Sequence, residues 1–545
     1  MKEYKRLLIP LLQEKLLLIV SICSGVIAAA MNLSRPLLMG LIVDRLIQKH
    51  IEEVYIYIAL FVGSRLITWG NSLLFDYVGS KGSQRILRKQ RIELLHHFLS
   101  LPFEESEKIK QGELETLVVS DIPNWARLYG SVLIECIHAI AQFIGALIAF
   151  QHIDIHFVWW VVPFLIASAI IPMFMAKKAR KTASIAQMNH SSVVETISQF
   201  VKGIQDLRSL REGKWAVKQF KEVTSYSYKS EVKKIMMQSF IGLIGIAIET
   251  GAYMIVLIVG AQKVIRGEME VGSLIAILAT IETLFFPVRY ASDLLMITQV
   301  SVASASRVWR FLDMPTETVA EERGTGIKVI KASFKNLLTN IELQIKPGEL
   351  IMIVGESGAG KTTLLKLLTG LYKPTSGSVE YYGKKGCMTS VWQEPRLFRA
   401  TIKENIIFQR NVTEEQLKQS EVLVNAGIII KNLPNGIHTL LEKNGESFSG
   451  GERKRLALWR AIVSKPNLVI LDEPTAGLDP NNQNLVWNMI ESLGRNVTRI
   501  VTTHDIKNAL IADRVIVMKK GTIIECGTPQ ELLSRDSLLK EMLAK

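Results

Sequence analysis

Apolar residues are unevenly spread along this chain. Before about residue 310 they gather into six runs, approximately Leu16–Val43, Val54–Asp76, Val132–Phe150, Phe157–Met175, Phe240–Gly260 and Val271–Ile297. Each is long enough to cross a bilayer as a helix, which needs about 20 residues. The fourth, FVWWVVPFLIASAIIPMFM, carries no charge. A buried helix of a water-soluble core rarely runs that far without a polar face, so these six runs predict a helical membrane domain. From Ile327 onward short β-rich runs alternate with helical ones, the pattern of a parallel α/β domain. The divisions expected are a membrane domain over 1–310 with long helical cytoplasmic loops, a linker over 311–326 and an α/β domain over 327–545.

The totals agree with such a split. The chain has 545 residues, 48% hydrophobic and 21% charged, too long for one core. A net charge of +14 would suit nucleic acid or an anionic membrane face. The basic residues decide between these. Lys81, Arg85, Arg88, Lys89 and Arg91 follow the second run, and Lys177, Lys178, Arg180 and Lys181 follow the fourth, whereas the link 151–156 has neither Lys nor Arg. By the positive-inside bias, the two long basic loops and the N-terminus face the cytoplasm, and no nucleic-acid partner is expected. Both loops read as helical, each interrupted once by a polar break, near Lys110–Gly112 and near Lys202–Gly203. The opening MKEYKRLLIPLLQEK reads as a basic amphipathic helix on the membrane surface rather than a signal peptide. Cys23, Cys136, Cys387 and Cys526 are isolated, with no metal-site or disulfide spacing.

The chemistry lies in the C-terminal part. Gly355, Glu356, Ser357, Gly358, Ala359, Gly360, Lys361 and Thr362, with Thr363 next, form a GxxxxGK[ST] loop between the apolar strand 350–354 and a helix over 362–371. Glycines there let backbone N–H groups wrap phosphates, and the helix N-terminus favours their charge. Lys361 is expected on the β/γ-phosphates and the Thr362 hydroxyl on Mg²⁺. A second apolar strand, Leu468–Leu471, delivers Asp472 and Glu473 at its C-terminal end, where ligands bind in open α/β sheets. Asp472 would hold Mg²⁺ and Glu473 would polarise the attacking water.

Between them stands Phe448-Ser-Gly-Gly-Glu452, a helix start with a capping-box pattern. Here the chain resembles the ABC ATPase family, whose signature is usually LSGGQ, and the six runs ahead of it resemble the exporter-type half-transporters of that family. The resemblance implies that Ser449, Gly450 and Gly451 point at the γ-phosphate of ATP held by a second half-transporter chain, identical or not. It also implies that Gln393 senses Mg²⁺ and water and contacts the membrane domain. Asp479 then sits in the loop between the two ATP sites, and His504 contacts the γ-phosphate. Two stretches depart from the family pattern. The segment that usually carries an adenine-stacking aromatic is shortened to Lys331–Leu338 and offers only Phe334, and the Glu-containing loop ahead of the signature reads with Glu442 and Glu446.

Within the spans, Arg65, Glu249 and Glu282 fall near the bilayer midplane at about 1.5 Å of rise per residue, with Glu135 and His138 nearer the cytoplasmic end of the third span. Ionisable groups are costly in hydrocarbon. They therefore form either an acidic cavity for a cationic or amphipathic substrate, or an internal pair of Arg65 with one glutamate. Since the first span begins almost at once, no leader-peptide protease domain is expected ahead of it, and a compact half-transporter without targeting extensions is expected to be prokaryotic. The resemblance implies a dimeric ATP-driven exporter of a lipid-, peptide- or drug-like molecule in the plasma membrane. Its rivals are an importer of the same architecture and a regulatory subunit that binds ATP without pumping. Glu473 and His504 argue against the regulatory reading, and the six spans against a soluble ATPase.

Overall fold

The computed structural model describes residues 6, 15–317, 323–442, 445 and 447–544. The chain divides into two compact units, 1–99 with 110–314, and 100–109 with 315–545.

The first unit is helical. Among the described residues, six of its helices are long and apolar enough to cross a membrane. They are α1 (Lys15–Ile47) and α2 (Ile51–Ser100), then, after a short α3 (Phe103–Lys108), α4 (Leu133–Ile153) and α5 (His156–Lys202), then, after a short α6 (Ile204–Ser209), α7 (Gly213–Ile265) and α8 (Val271–Leu312). Pro36, Pro163, Pro172 and Pro287 lie inside these helices. Such prolines are tolerated in membrane helices, where neighbours satisfy the freed carbonyls. Helices α5 and α7 pack along each other, and α1, α4 and α8 pack together. A core of Phe150, Phe157, Val161, Val256, Ile277, Ile281 and Phe285 joins α4, α5, α7 and α8. At the head of α8, the Gly272 N–H donates to buried Asp44 Oδ1 at 2.6 Å. Any side chain on Gly272 would meet the Gly40 carbonyl at 2.0 Å, so α1 and α8 touch backbone to backbone there. The helical chain into α4 contains two π-helical turns, Leu117–Asp121 and Leu128–Val132. Asp121, buried in the first, accepts two hydrogen bonds from the Arg307 guanidinium, at 2.9 and 2.5 Å.

Each of the two long basic loops is broken twice rather than once. Pro102 ends α2, because the residue before a proline is driven out of helical conformation, and a second break at Ile109–Lys110 frees α3 as a six-residue helix. The second loop frees α6 in the same way, between Gly203 and Leu210. Of the opening stretch MKEYKRLLIPLLQEK, expected as an amphipathic helix, only Arg6 and Lys15 are among the described residues; the Arg6 guanidinium bonds both Asp313 oxygens at 2.7 Å.

In the second unit a three-stranded antiparallel sheet contains β1 (Arg323–Phe334), β2 (Leu338–Ile345) and β4 (Ser376–Gly386), in the order β2-β1-β4. A six-stranded sheet runs β5-β6-β7-β3-β8-β9, with β3 (Leu350–Gly355), β5 (Met388–Val391), β6 (Leu468–Asp472), β7 (Thr498–Thr502), β8 (Arg514–Lys519) and β9 (Thr522–Gly527). It is parallel except for β9. Strands β3, β6 and β7 are buried at every position, as expected of central parallel strands covered on both faces. Helix α9 (Lys361–Leu368) packs between the two sheets, and α10 (Gly450–Ile462) and α11 (Pro480–Ser492) cover the other face of the large one.

Both ends of the segment 311–326 belong to ordered elements. Helix α8 continues to Leu312, with Phe311 buried, and β1 begins at Arg323, where Arg323 pairs with Gly386 and Gly324 with Lys385. Residues 100–109, expected with the membrane domain, pack in the second unit. Lys335 reaches Glu104 at 2.8 Å, while Lys366 Nζ and the Tyr372 hydroxyl donate to Glu107 at 2.8 and 2.6 Å. Phe103 lies against the Tyr372 ring.

Candidate functional site

Strand β3 ends at Gly355 and the chain turns through 356–360 into α9. Gly360 is the residue before the helix and has φ of +100°, a conformation only glycine adopts without strain. Lys361, almost fully buried, turns its ammonium back over the loop and donates to the Gly355 carbonyl at 2.8 Å and the Glu356 carbonyl at 3.2 Å. Burial holds this lysine below its usual pKa, against the opposing pull of Glu473 and Asp472.

Strand β6, parallel to β7, brings the carboxylates alongside. Buried Asp472 accepts from Thr362 Oγ1 at 2.9 Å and from Thr502 Oγ1 at 2.7 Å. Glu473 has left the strand with φ of +47°, a strained conformation for a residue with a side chain. Three groups fix it there. Its N–H donates to Thr502 Oγ1 at 2.9 Å, and its carboxylate accepts from Gln393 Nε2 at 3.0 Å and lies 2.6 Å from His504 Nε2. His504 Nε2 also stands 3.5 Å from Lys361 Nζ. Lys361, Thr362, Gln393, Asp472, Glu473 and His504, spread over 144 residues of sequence, thus form one hydrogen-bonded cluster at the C-terminal ends of β3, β6 and β7.

The Thr362 hydroxyl and the Asp472 carboxylate face each other, a hard-oxygen pair of the kind Mg²⁺ takes when phosphates and water complete its shell. The residues fit that ion. It would be held by Thr362, Asp472 and the Gln393 side chain, and would neutralise developing phosphate charge.

Ser449 caps α10. Its Oγ accepts from the Glu452 N–H at 3.2 Å, and its own N–H donates to Glu452 Oε2 at 2.8 Å. The carboxylate that replaces the usual glutamine is therefore turned back onto its own helix. Asp479 caps α11, and its hydrogen bonds with the Asn482 side chain and backbone hold its carboxyl below the usual range. Among the described residues no hydrogen bond links Ser449, Gly450, Gly451 or Asp479 to the phosphate loop, and the side-chain position at Gly451 faces Leu478 instead.

Phe334 and the ionisable groups of the spans have the following partners. Phe334 is buried and stacks on Tyr372, ring centres 4.4 Å apart, so it is not free to stack on a base. In the spans Glu249 pairs with Arg289, at 2.6 Å, and not with Arg65. Arg65 and Glu282 are instead within electrostatic reach of Arg35. His138 stacks on Phe75 at 4.3 Å between ring centres. Glu442 is described, whereas Glu446 lies outside the described residues. Sequence reasoning missed Thr502 and Arg289. Thr502 was within sight, two residues before His504 and at the end of an apolar strand.

A phosphate loop, a strand-end Asp-Glu pair and a capped signature helix on a mixed sheet define an ATP-hydrolysing domain, here fused to six membrane-length helices. The comparisons agree. Residues 338–476 match the family model of the ABC transporter and residues 18–288 that of the ABC transporter transmembrane region, so the chain belongs to the ABC transporter family. It is a multi-pass membrane protein whose ATPase activity is coupled to transport. An ATP-dependent lipid A-core flippase of Desulfotalea psychrophila is 25% identical, over 97% of this chain and 96% of the relative. A Bacillus subtilis protein named "Putative multidrug export ATP-binding/permease protein YgaD" is 24% identical, over 99% and 98%. The solved structure of a bacterial Atm1-family ABC exporter with ATP bound shares the fold with a TM-score of 0.82, at 18% identity over 97% of this chain and 98% of that one.

Proposed function

We propose that this chain is one half of a dimeric exporter that uses ATP, with Mg²⁺, to move an amphipathic lipid- or drug-like molecule out across the plasma membrane. The observation that carries the reading is the joining of Glu473, His504 and Gln393 to the Lys361–Thr362 loop in a chain with six membrane-length helices. In this reading Glu473 accepts the proton of a water attacking the γ-phosphate. His504 and Gln393 hold its carboxylate in one orientation, and Lys361 serves as the cation for the β/γ-phosphates. The N-terminus and the ATPase domain face the cytoplasm, in keeping with the basic loops after the second and fourth spans. Ser449, Gly450, Gly451 and Asp479 take their part across a dimer, a reading supported by their places at helix starts with no hydrogen bond to their own phosphate loop among the described residues.

Two features favour an amphipathic cargo. Named relatives act on lipid A-core or are described for multidrug export. Glu249 is neutralised by Arg289, which leaves Arg65 and Glu282 as the charged groups proposed to meet the cargo. The test is ATP hydrolysis by the purified chain in lipid nanodiscs beside Glu473→Gln, followed by ATP-dependent uptake of labelled lipid or drug into inside-out vesicles. Activity abolished in the variant and uptake into inside-out vesicles support export. Release from preloaded vesicles reverses the direction, and a wild type without hydrolysis requires a second, different chain.

A further inference from the structure

Lys454 lies one turn into the signature helix α10, half-buried, and has no use in the scheme above. Its ammonium does not pair with a carboxylate among the described residues. It donates to two backbone carbonyls, those of Glu473, at 3.2 Å, and Ala476. These carbonyls stand at the two ends of the turn Glu473-Pro-Thr-Ala476, which a hydrogen bond from the Ala476 N–H to the Glu473 carbonyl also closes. A lysine on another helix therefore clasps the turn that holds Glu473 in its left-handed conformation.

We infer that Lys454 is a positioning residue for hydrolysis, fixing the peptide of Glu473 and tying its placement to the helix that begins at Ser449. Three observations converge on this. The φ of +47° at Glu473 persists only if surrounding groups over-determine it. The other ties reach its N–H and its carboxylate, so Lys454 and the turn's own Ala476 N–H are what hold its carbonyl. A charged donor on a neutral carbonyl is among the stronger hydrogen bonds, and a half-buried ammonium cannot readily exchange it for water. The same helix start also comes close to Leu478, just beyond the turn: a Cβ at Gly451 would stand 3.3 Å from the Leu478 side chain. A movement of the signature helix thus carries the general base with it, and Lys454 is the link that conveys it.

The inference rests on Glu473 being the general base, so the experiment measures the full chain in nanodiscs with Glu473→Gln as the baseline. If that baseline variant hydrolyses ATP like wild type, it is the reading of Glu473 that falls. Lys454→Met keeps length and apolar packing but removes the donor, and Lys454→Arg keeps a cation. Lys454→Met is expected to lower kcat by about tenfold while KM for ATP and equilibrium binding of a non-hydrolysable ATP analogue stay within about twofold, because loss of one charge-assisted hydrogen bond acts on orientation. Lys454→Arg is expected to recover most of kcat. A Lys454→Met kcat within about twofold of wild type overturns the inference. So does a loss that appears as weaker analogue binding, or an arginine variant no better than methionine. If the methionine variant does not fold, Lys454→Gln against Lys454→Arg makes the same comparison, with the glutamine kcat expected about threefold or more below the arginine one and equal values overturning the inference.

Discussion

At Glu473 the side chain and the backbone are under separate control. The carboxylate is held by Gln393 and His504, and the N–H by Thr502, whose hydroxyl in turn donates to Asp472. Replacing Glu473 by Gln keeps shape and hydrogen bonding but removes the proton acceptor. ATP turnover is expected to fall by about 100-fold or more with nucleotide binding retained, the scale of a lost general base. Thr502→Val leaves two groups at the strand end without their partner, and the ATPase unit is expected to lose about 1–3 kcal/mol in denaturant unfolding. The residues that the sequence marked here are those whose meaning is local: a loop between strand and helix, two carboxylates ending an apolar run. What it did not mark is pairing across the fold. Glu249 had several arginines to choose from, and Arg289, 40 residues on and one helix away, is the one the packing brings to it. Phe334 was visible as the aromatic in its segment, yet its partner Tyr372 lies on the far side of the phosphate loop in sequence.

Among the elements, the six spans were legible because a membrane-length apolar run has few other uses, and the central strands β3, β6 and β7 because they are buried throughout. The short helices α3 and α6 were hidden inside loops that read as helix with a single break each, since a second short break leaves little mark on composition. Helix α3 is held by Glu107, whose carboxyl burial would push up but which Lys366 and the Tyr372 hydroxyl bring below the usual carboxylate range. Lys366 is in turn held above the usual lysine range, burial being outweighed by Glu107 and Tyr372. A depressed carboxyl stabilises above its unfolded pKa and stops doing so as pH falls through the lower, folded value. A raised lysine stabilises below its unfolded pKa and is lost only as pH rises through the folded one. The pair is thus intact between the carboxylate and lysine ranges, and α3 is expected to loosen on the acid side. Hydrogen exchange over Phe103–Lys108, corrected for intrinsic rates, should rise below about pH 4, and Glu107→Gln should bring a similar rise to neutral pH. The junction of α1 with α8 is stricter. Gly272→Ala sets a methyl 2.0 Å from the Gly40 carbonyl and 2.3 Å from the Asp44 carboxylate, so the helices must part and the Asp44 cap is lost. The expected outcome is a thermal midpoint several degrees lower or loss of folded protein in detergent, read by size-exclusion melting.

For the whole molecule, two modules and their family were evident from the order of runs and motifs alone, but the assignment of chain to module was not. The backbone leaves the membrane unit at Ser100, returns at Lys110 and leaves again at Pro315. Residue spacing along the chain does not reveal that a ten-residue excursion folds with a domain more than 200 residues downstream. A practical rule follows for anyone dissecting the protein. A fragment cut at Pro315, the natural place to isolate the ATPase, is a protein with a missing part: Lys335, Lys366 and Tyr372 would face water where α3 belongs. Such a fragment should melt earlier than the same domain in the full chain, and a synthetic peptide of residues 100–110 added in trans should raise its midpoint in a saturable way, with Glu107→Gln in the peptide abolishing the rescue. The ATPase of this transporter is, in that sense, a split protein whose smaller half is stored inside the membrane domain's sequence.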